Sequence, residues 1–224
     1  MRRRQFLAVV AAGAGIVQNP ARSLSGDVCQ KSGLLVAPHL DMFRHASGDS
    51  LTQQIAFMHA CGFRAVDDNR LASRDADAQA EIGQAARRHG IAVGQFAGSV
   101  SFGESLFASG RSRDWRQVLG DLNRATGVGR RAGARYCTVV PGLADPSLNW
   151  NRQFHNARQL LDECSQLCAS AGMTLLLESF RHPSPRRRML IEDVHTACRV
   201  CQSLTRSTCR AVLDTCCQRL QPIH

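Results

Sequence analysis

The stretch Ala171-Gly172-Met173-Thr174-Leu175-Leu176-Leu177-Glu178 (AGMTLLLE, residues 171–178) holds three structural instructions in eight positions. Gly172 suits the end of a helix, where the chain leaves through a left-handed turn that glycine adopts without steric cost. Thr174–Leu177 is an apolar run of strand length. Glu178 then sets a carboxylate at the tip of that strand. The pattern recurs upstream: HGIAV (89–93) and AGARYCTVV (132–140) also place a glycine just ahead of an apolar run.

Six such runs are found, at Leu34–Ala37, Phe63–Val66, Ile91–Phe96, Tyr136–Val140, Thr174–Leu177 and Ala211–Leu213. Stretches with helical periodicity lie between them, at Leu51–Cys61, Ala78–His89, Asp114–Ala132, Asn151–Ala171 and Ile191–Leu204. Strands and helices in alternation predict βαβ units and a parallel sheet. The step from strand to strand is roughly 35 residues, the length of a repeated βα unit. Doubly wound sheets and barrels share that rhythm, and the strand tips decide between them. Nearly every run ends in ionisable or turn-forming residues: Pro38-His39-Leu40-Asp41, Asp67-Asp68-Asn69, Gly98-Ser99, Pro141-Gly142, Glu178-Ser179 and Asp214-Thr215. Functional groups at the carboxyl ends of many strands are the barrel arrangement. The first run has no glycine fingerprint of the dinucleotide-binding kind. The expectation is an α/β fold of (β/α)8 TIM-barrel type, incomplete, with about six strands and five helices. A full barrel takes about 250 residues, so roughly 80 are missing from this pattern.

The 224 residues are 44% hydrophobic and 21% charged, ordinary for a globular protein. Formal net charge is +10, which raises the question of nucleic acid or an anionic surface. The first 25 residues supply Arg2, Arg3, Arg4 and Arg22 and no acid, so setting them aside leaves +6. Apart from Arg186, Arg187 and Arg188, the other arginines are scattered, the pattern of a solvated surface; no nucleic-acid partner is expected. The start MRRRQFLAVVAAGAGIV sets arginines before an apolar run too short to span a bilayer. Arg3-Arg4-Gln5-Phe6-Leu7 resembles the twin-arginine export signal. That implies export to the periplasm by the twin-arginine machinery, with 1–30 as signal and linker and 31–224 as the barrel domain.

Two groups among the ten cysteines sit at helical spacing. Phe154, Ala157, Leu161, Cys164 and Cys168 share one stripe, and Val194, Ala197, Cys198 and Cys201 another. Cys198-x-x-Cys201 has redox or zinc spacing, but the second pair of a zinc ribbon is missing, and packing in the core is the favoured reading.

Five segments in order, GLLVAPHLDMFRH (33–45), FMHACGFRAVDDN (57–69), YCTVVPG (136–142), LLLESFRHP (175–183) and AVLDTCCQR (211–219), together resemble the xylose isomerase-like barrels. Within them the likeness is to the hydroxypyruvate isomerase and sugar isomerase/epimerase branch, over about residues 33–219. The resemblance implies a divalent cation, Mg²⁺ or Mn²⁺, at the carboxyl face. It assigns metal ligands to Glu178 after strand 5 and Asp214 after strand 6, with two more from strands 7 and 8. Glu178 would also move a proton next to a substrate carbonyl, so it is the catalytic candidate. Hard oxygen donors suit Mg²⁺ or Mn²⁺. His39, Asp68 and His182, at strand tips, are the candidates for binding substrate, a small sugar or hydroxy-carbonyl compound.

Two departures bear on that reading. Relatives continue the strand-6 aspartate as Asp-x-x-His, whereas Cys217 stands here. The ligands of strands 7 and 8 have no counterpart, so a metal would be weakly held by two carboxylates. Glu178 has a structural alternative in an ion pair with Arg181, and Asp214 in capping a turn. Two other functions fit the same residues: a non-catalytic sugar-binding barrel, or a metal-dependent endonuclease of the same fold. A chain ending after six strands would leave edges open at strands 1 and 6, and these predict self-association.

Overall fold

The computed structural model describes residues 35–205 and 208–214. The signal-like segment, Leu34 and the departure at Cys217 lie outside the described residues.

Five helices of barrel length alternate with the strands: α1 (Leu51–Ala60), α2 (Ala76–His89), α3 (Ser112–Ala132), α4 (Trp150–Ser170) and α5 (Val194–Ser203). Their starts are written in the sequence. Ser50, Asp75, Asn149 and Asp193 each accept a hydrogen bond from a backbone N–H three residues on, satisfying donors that the first helical turn leaves open. Their ends are written too: Gly90, Gly133 and Gly172 all turn left-handed, with φ of 63°, 75° and 71°.

The strands are β1 (Ala65–Val66), β2 (Ala92–Val93), β3 (Gln95–Val100), β4 (Tyr136–Val140), β5 (Thr174–Glu178) and β6 (Cys209–Val212). All pair in parallel and in chain order: β1 with β2, then β3 with β4, β4 with β5 and β5 with β6. β2 and β3 are two halves of one strand position broken at Gly94, whose N–H donates to the Val66 carbonyl at 2.7 Å. A doubly wound sheet reverses its strand order at a switch point. Here the order never reverses, and α1–α2, α2–α3 and α3–α4 pack side by side. This is the TIM-barrel arrangement, incomplete, with the core between helices and sheet built on Ile55, Ile82, Phe96, Leu122, Leu161 and Leu175.

Three strand expectations are corrected. The first run is not a strand: residues 35–38 carry no ladder, and a single parallel bridge joins His39 to Asp67. Pro38 has no N–H to offer, and the segment has one neighbour among the described residues, so Leu35 and Val36 stay exposed. The third strand does not stop at Phe96 but runs to Val100 through a bulge between Ala97 and Ser99. Gly98 sits in that bulge because a Cβ there would lie 2.1 Å from the Cys137 sulfur. The last strand begins two residues earlier than expected, at Cys209, and Leu213 is 55% exposed rather than buried. The cysteine stripes divide likewise. Cys164 and Cys168 are fully buried, whereas Cys198 is exposed and Cys201 half-buried on α5, which has one face against β6 and another toward solvent.

Candidate active site

Alternation along the strands decides which side chains reach the inner mouth of the sheet. On β5, Leu175 and Leu177 are fully buried against the helices, so Thr174, Leu176 and Glu178 take the other, inner face. On β6, Cys209 is paired with Leu175 and Ala211 with Leu177, which leaves Val212 on the inner face with Leu176 and Glu178, while the Arg210 side chain lines a cavity beside the last helix. Asp214 follows two residues past the end of β6. Glu178, paired with Val212, and Asp214, just past it, therefore lie at the same end of the sheet. Their proximity shows in the electrostatics: burial lifts the Glu178 carboxyl above the ordinary range, and the negative charge of Asp214 lifts it further. Among the described residues no ion pair joins Glu178 to Arg181.

The same parity argument separates the two aspartates after β1. Ala92 is exposed and Val93 buried, so their partners Ala65 and Val66 face the mouth and the helices respectively. Asp67 follows on the inner face, 3.1 Å from the position a Cβ on Gly94 would take. Burial raises its carboxyl, and the charge of Asp68 raises it further. Asp68, the expected substrate contact, is 2% exposed, lies 2.5 Å from Arg74 Nε, and accepts from the Arg70 N–H at 3.1 Å. It anchors the loop from below. Asp67 stands at the same strand tip as Asp68, the residue the sequence favoured for a site role. Its only sequence signal was an Asp-Asp pair at a strand tip, and which member faces inward follows from register alone.

His39 bridges to Asp67 at the rim, but both of its ring nitrogens are engaged. Nε2 accepts from the Asn69 N–H at 3.1 Å, so Nδ1 carries the proton and donates to the Leu40 carbonyl. His182 lies on the loop after β5, where Nδ1 accepts from the Ser184 N–H at 3.0 Å. That bond leaves the proton on Nε2. The loop itself is fixed to the mouth: Phe180 N–H donates to Ile191, Leu190 N–H to Gly142 and Ala144 N–H to Arg188. Phe180 also packs on Phe102 from the loop after β3, with ring centroids 4.7 Å apart. Phe102 is 46% exposed, so an aromatic edge borders the rim close to Glu178.

Glu178 and Asp214 would offer two ionisable oxygen donors to a hard cation, with the Asp214 charge raising the Glu178 carboxyl. Among the described residues no group of three or more His, Cys, Asp or Glu side chains is placed to hold a metal ion. Among the described residues Glu178 and Asp214 are the two carboxylates that would contribute, with water at the other positions.

Comparison with known proteins gives the same architecture. The family model described as xylose isomerase-like TIM barrel matches residues 55–217. No curated protein sequence matches significantly. Among solved structures, an AP endonuclease, family 2, from Brucella melitensis superposes with a TM-score of 0.60 at 17% identity over 80% of this chain and 67% of its own. A 3-keto-D-glucoside 4-epimerase from E. coli in its apo form gives 0.60 at 12% identity, with the same coverage. The IOLI protein, solved with a zinc atom, gives 0.59 at 15% identity over 80% of this chain and 63% of its own. The chain therefore spans about two thirds of the length of these three solved proteins.

Proposed function

The chain belongs to the xylose isomerase-like TIM barrel family, and from that footing we propose a sugar isomerase/epimerase-like protein that moves a proton next to a carbonyl in a small hydroxy-carbonyl compound. Hydroxypyruvate and short ketoses are the substrate class. The observation that carries this reading is the electrostatic contact between Glu178 at the end of β5 and Asp214, which adds to burial in raising the Glu178 carboxyl.

A carboxyl raised toward neutrality is a better base at working pH than one at its ordinary value, because it then holds the abstracted proton more firmly. Glu178 takes the role of proton carrier. Glu178 and Asp214 together would hold Mg²⁺ or Mn²⁺, weakly, and a bound cation supplies positive charge beside the substrate's oxygens. The aromatic edge of Phe102 and Phe180 offers an apolar face to the substrate's C–H groups, and His182 Nε2–H offers a donor to a hydroxyl. Asp67 and His39 close the opposite side of the rim. In support, one solved relative is described as an epimerase and another holds zinc.

The test is proton exchange. Hydroxypyruvate and a panel of ketoses in D₂O with Mg²⁺ should lose the ¹H signal at the carbon next to the carbonyl, followed by NMR. Glu178→Gln should slow that loss by about 10²–10⁴-fold. Exchange at the wild-type rate in Glu178→Gln would remove the assignment. A second reading, sugar binding without chemistry, is favoured by the two-ligand donor set; chelator-insensitive binding with no deuterium uptake would select it.

A further inference from the structure

Outside the mouth, α5 and β6 bring together thiols that the proposed chemistry does not use. Cys201 on α5 and Cys209 on β6 lie with their sulfurs 3.6 Å apart. Both open onto a cavity of about 330 Å³ that is also lined by Cys198 and Arg210. Cys201 is half-buried and Cys209 2% exposed, so an incoming reagent meets Cys201 first. The hydrogen bond between the two thiols pulls Cys201 below the usual thiol range; burial opposes it and the Arg210 guanidinium adds to it. The same bond pushes Cys209 upward, which makes Cys201 the nucleophile and Cys209 the resolving thiol. Cys137 and Cys168 are also hydrogen-bonded to each other, but both are fully buried and no reagent reaches them.

The geometry points to Cys201 and Cys209 as a dithiol–disulfide couple that staples helix α5 to strand β6. The sulfurs must close from contact distance to about 2.05 Å, a movement within the reach of side-chain rotation. The oxidant is a low-molecular-weight disulfide. The Cys201 thiolate attacks it, forming a mixed disulfide and releasing one thiolate, which takes up a proton. Cys209 then loses its proton to solvent as its sulfur attacks the Cys201 sulfur and expels the second thiolate. Two protein thiols are oxidised and one external disulfide is reduced to two thiols. The staple lands on the strand that carries Asp214 two residues beyond its end, so it braces one wall of the mouth. The inference does not rest on the proposed sugar chemistry.

Peptide mapping tests it directly. Cleavage after Arg199, Arg206 and Arg210 puts Cys198, Cys201 and Cys209 in three separate tryptic peptides. The folded full-length chain is incubated with oxidised glutathione, blocked with N-ethylmaleimide, digested and read by mass spectrometry. The expected product is residues 200–206 joined to 207–210, in roughly half or more of the chains, with Cys198 blocked. Reduction before blocking should abolish it, and Cys198→Ser should leave it intact. Cys201 and Cys209 both blocked, Cys201 retaining glutathione, or Cys201 joined to Cys198 would each overturn the assignment. Because the wild-type chain decides the matter, a Cys209→Ser variant that fails to fold does not affect the outcome.

Discussion

Glu178 is placed by its own strand but tuned by a neighbour 36 positions away, since burial first and Asp214 second lift its carboxyl above the ordinary range. In the metal-free protein that charge is unfavourable, and Glu178→Gln removes it while keeping the shape. The variant should therefore be more stable than the wild type in EDTA, by about 0.5–1 kcal/mol because the mouth is partly open to water. Thermal melting checks this: Tm should rise in EDTA, and added Mn²⁺ should raise the wild-type Tm more than the variant's. An equal or lower Tm for the variant in EDTA would mean that Glu178 is favourably paired. At this scale the sequence revealed the two carboxylates, because each ends an apolar run. It did not separate Asp67 from Asp68, whose contrast is a matter of which face each takes.

Helix boundaries are local chemistry, which is why α1 to α5 fall within about three residues of where the sequence placed them. The Asp193 cap of α5 shows how firmly one is held. Burial pushes its carboxyl up, but the N–H and hydroxyl of Thr196 pull it down further, with His195 adding to them. A depressed carboxyl contributes stability that is present above its unfolded value, near 4, and is lost as pH falls through the folded value. Asp193→Ala should cost about 1 kcal/mol at pH 7, and the gap from wild type should narrow below about pH 4. Urea unfolding of both proteins at pH 7 and pH 3 measures this; a gap of constant size would assign the cost to something other than the ionised cap. Strands were less legible than helices. The bulge in β3 exists because two strands must meet around Cys137, and the first apolar run lacks a ladder for want of neighbours.

The described residues form parallel strands in chain order that present two edges: the His39 segment, whose one strand-like bridge is to Asp67, and β6, laddered only to β5. Leu35, Val36 and Leu213 are exposed apolar side chains at those edges, 65%, 48% and 55% accessible. Unpaired backbone groups next to exposed apolar side chains favour pairing with another chain. We propose self-association through these edges, seen as a mass that rises with concentration in size-exclusion chromatography with light scattering. A constant monomer mass with a single cooperative unfolding transition would refute it. The net charge of +10 works against association at low salt, so the effect should grow with ionic strength as repulsion is screened.

The amino-acid sequence by itself determined the alternation of strands and helices, the helix caps, the glycine stops and the placing of Glu178 and Asp214 at strand tips. Each of these is settled within a few residues of chain, by hydrogen-bond supply, allowed backbone angles and hydrophobic period. Only the tertiary structure decided that Asp67 faces the mouth while Asp68 is tied to Arg74, that β3 bulges around Cys137, and that Cys201 meets Cys209. Those outcomes depend on inter-strand register and on contacts between separate elements, and the parity of a strand cannot be read until its neighbour is in place.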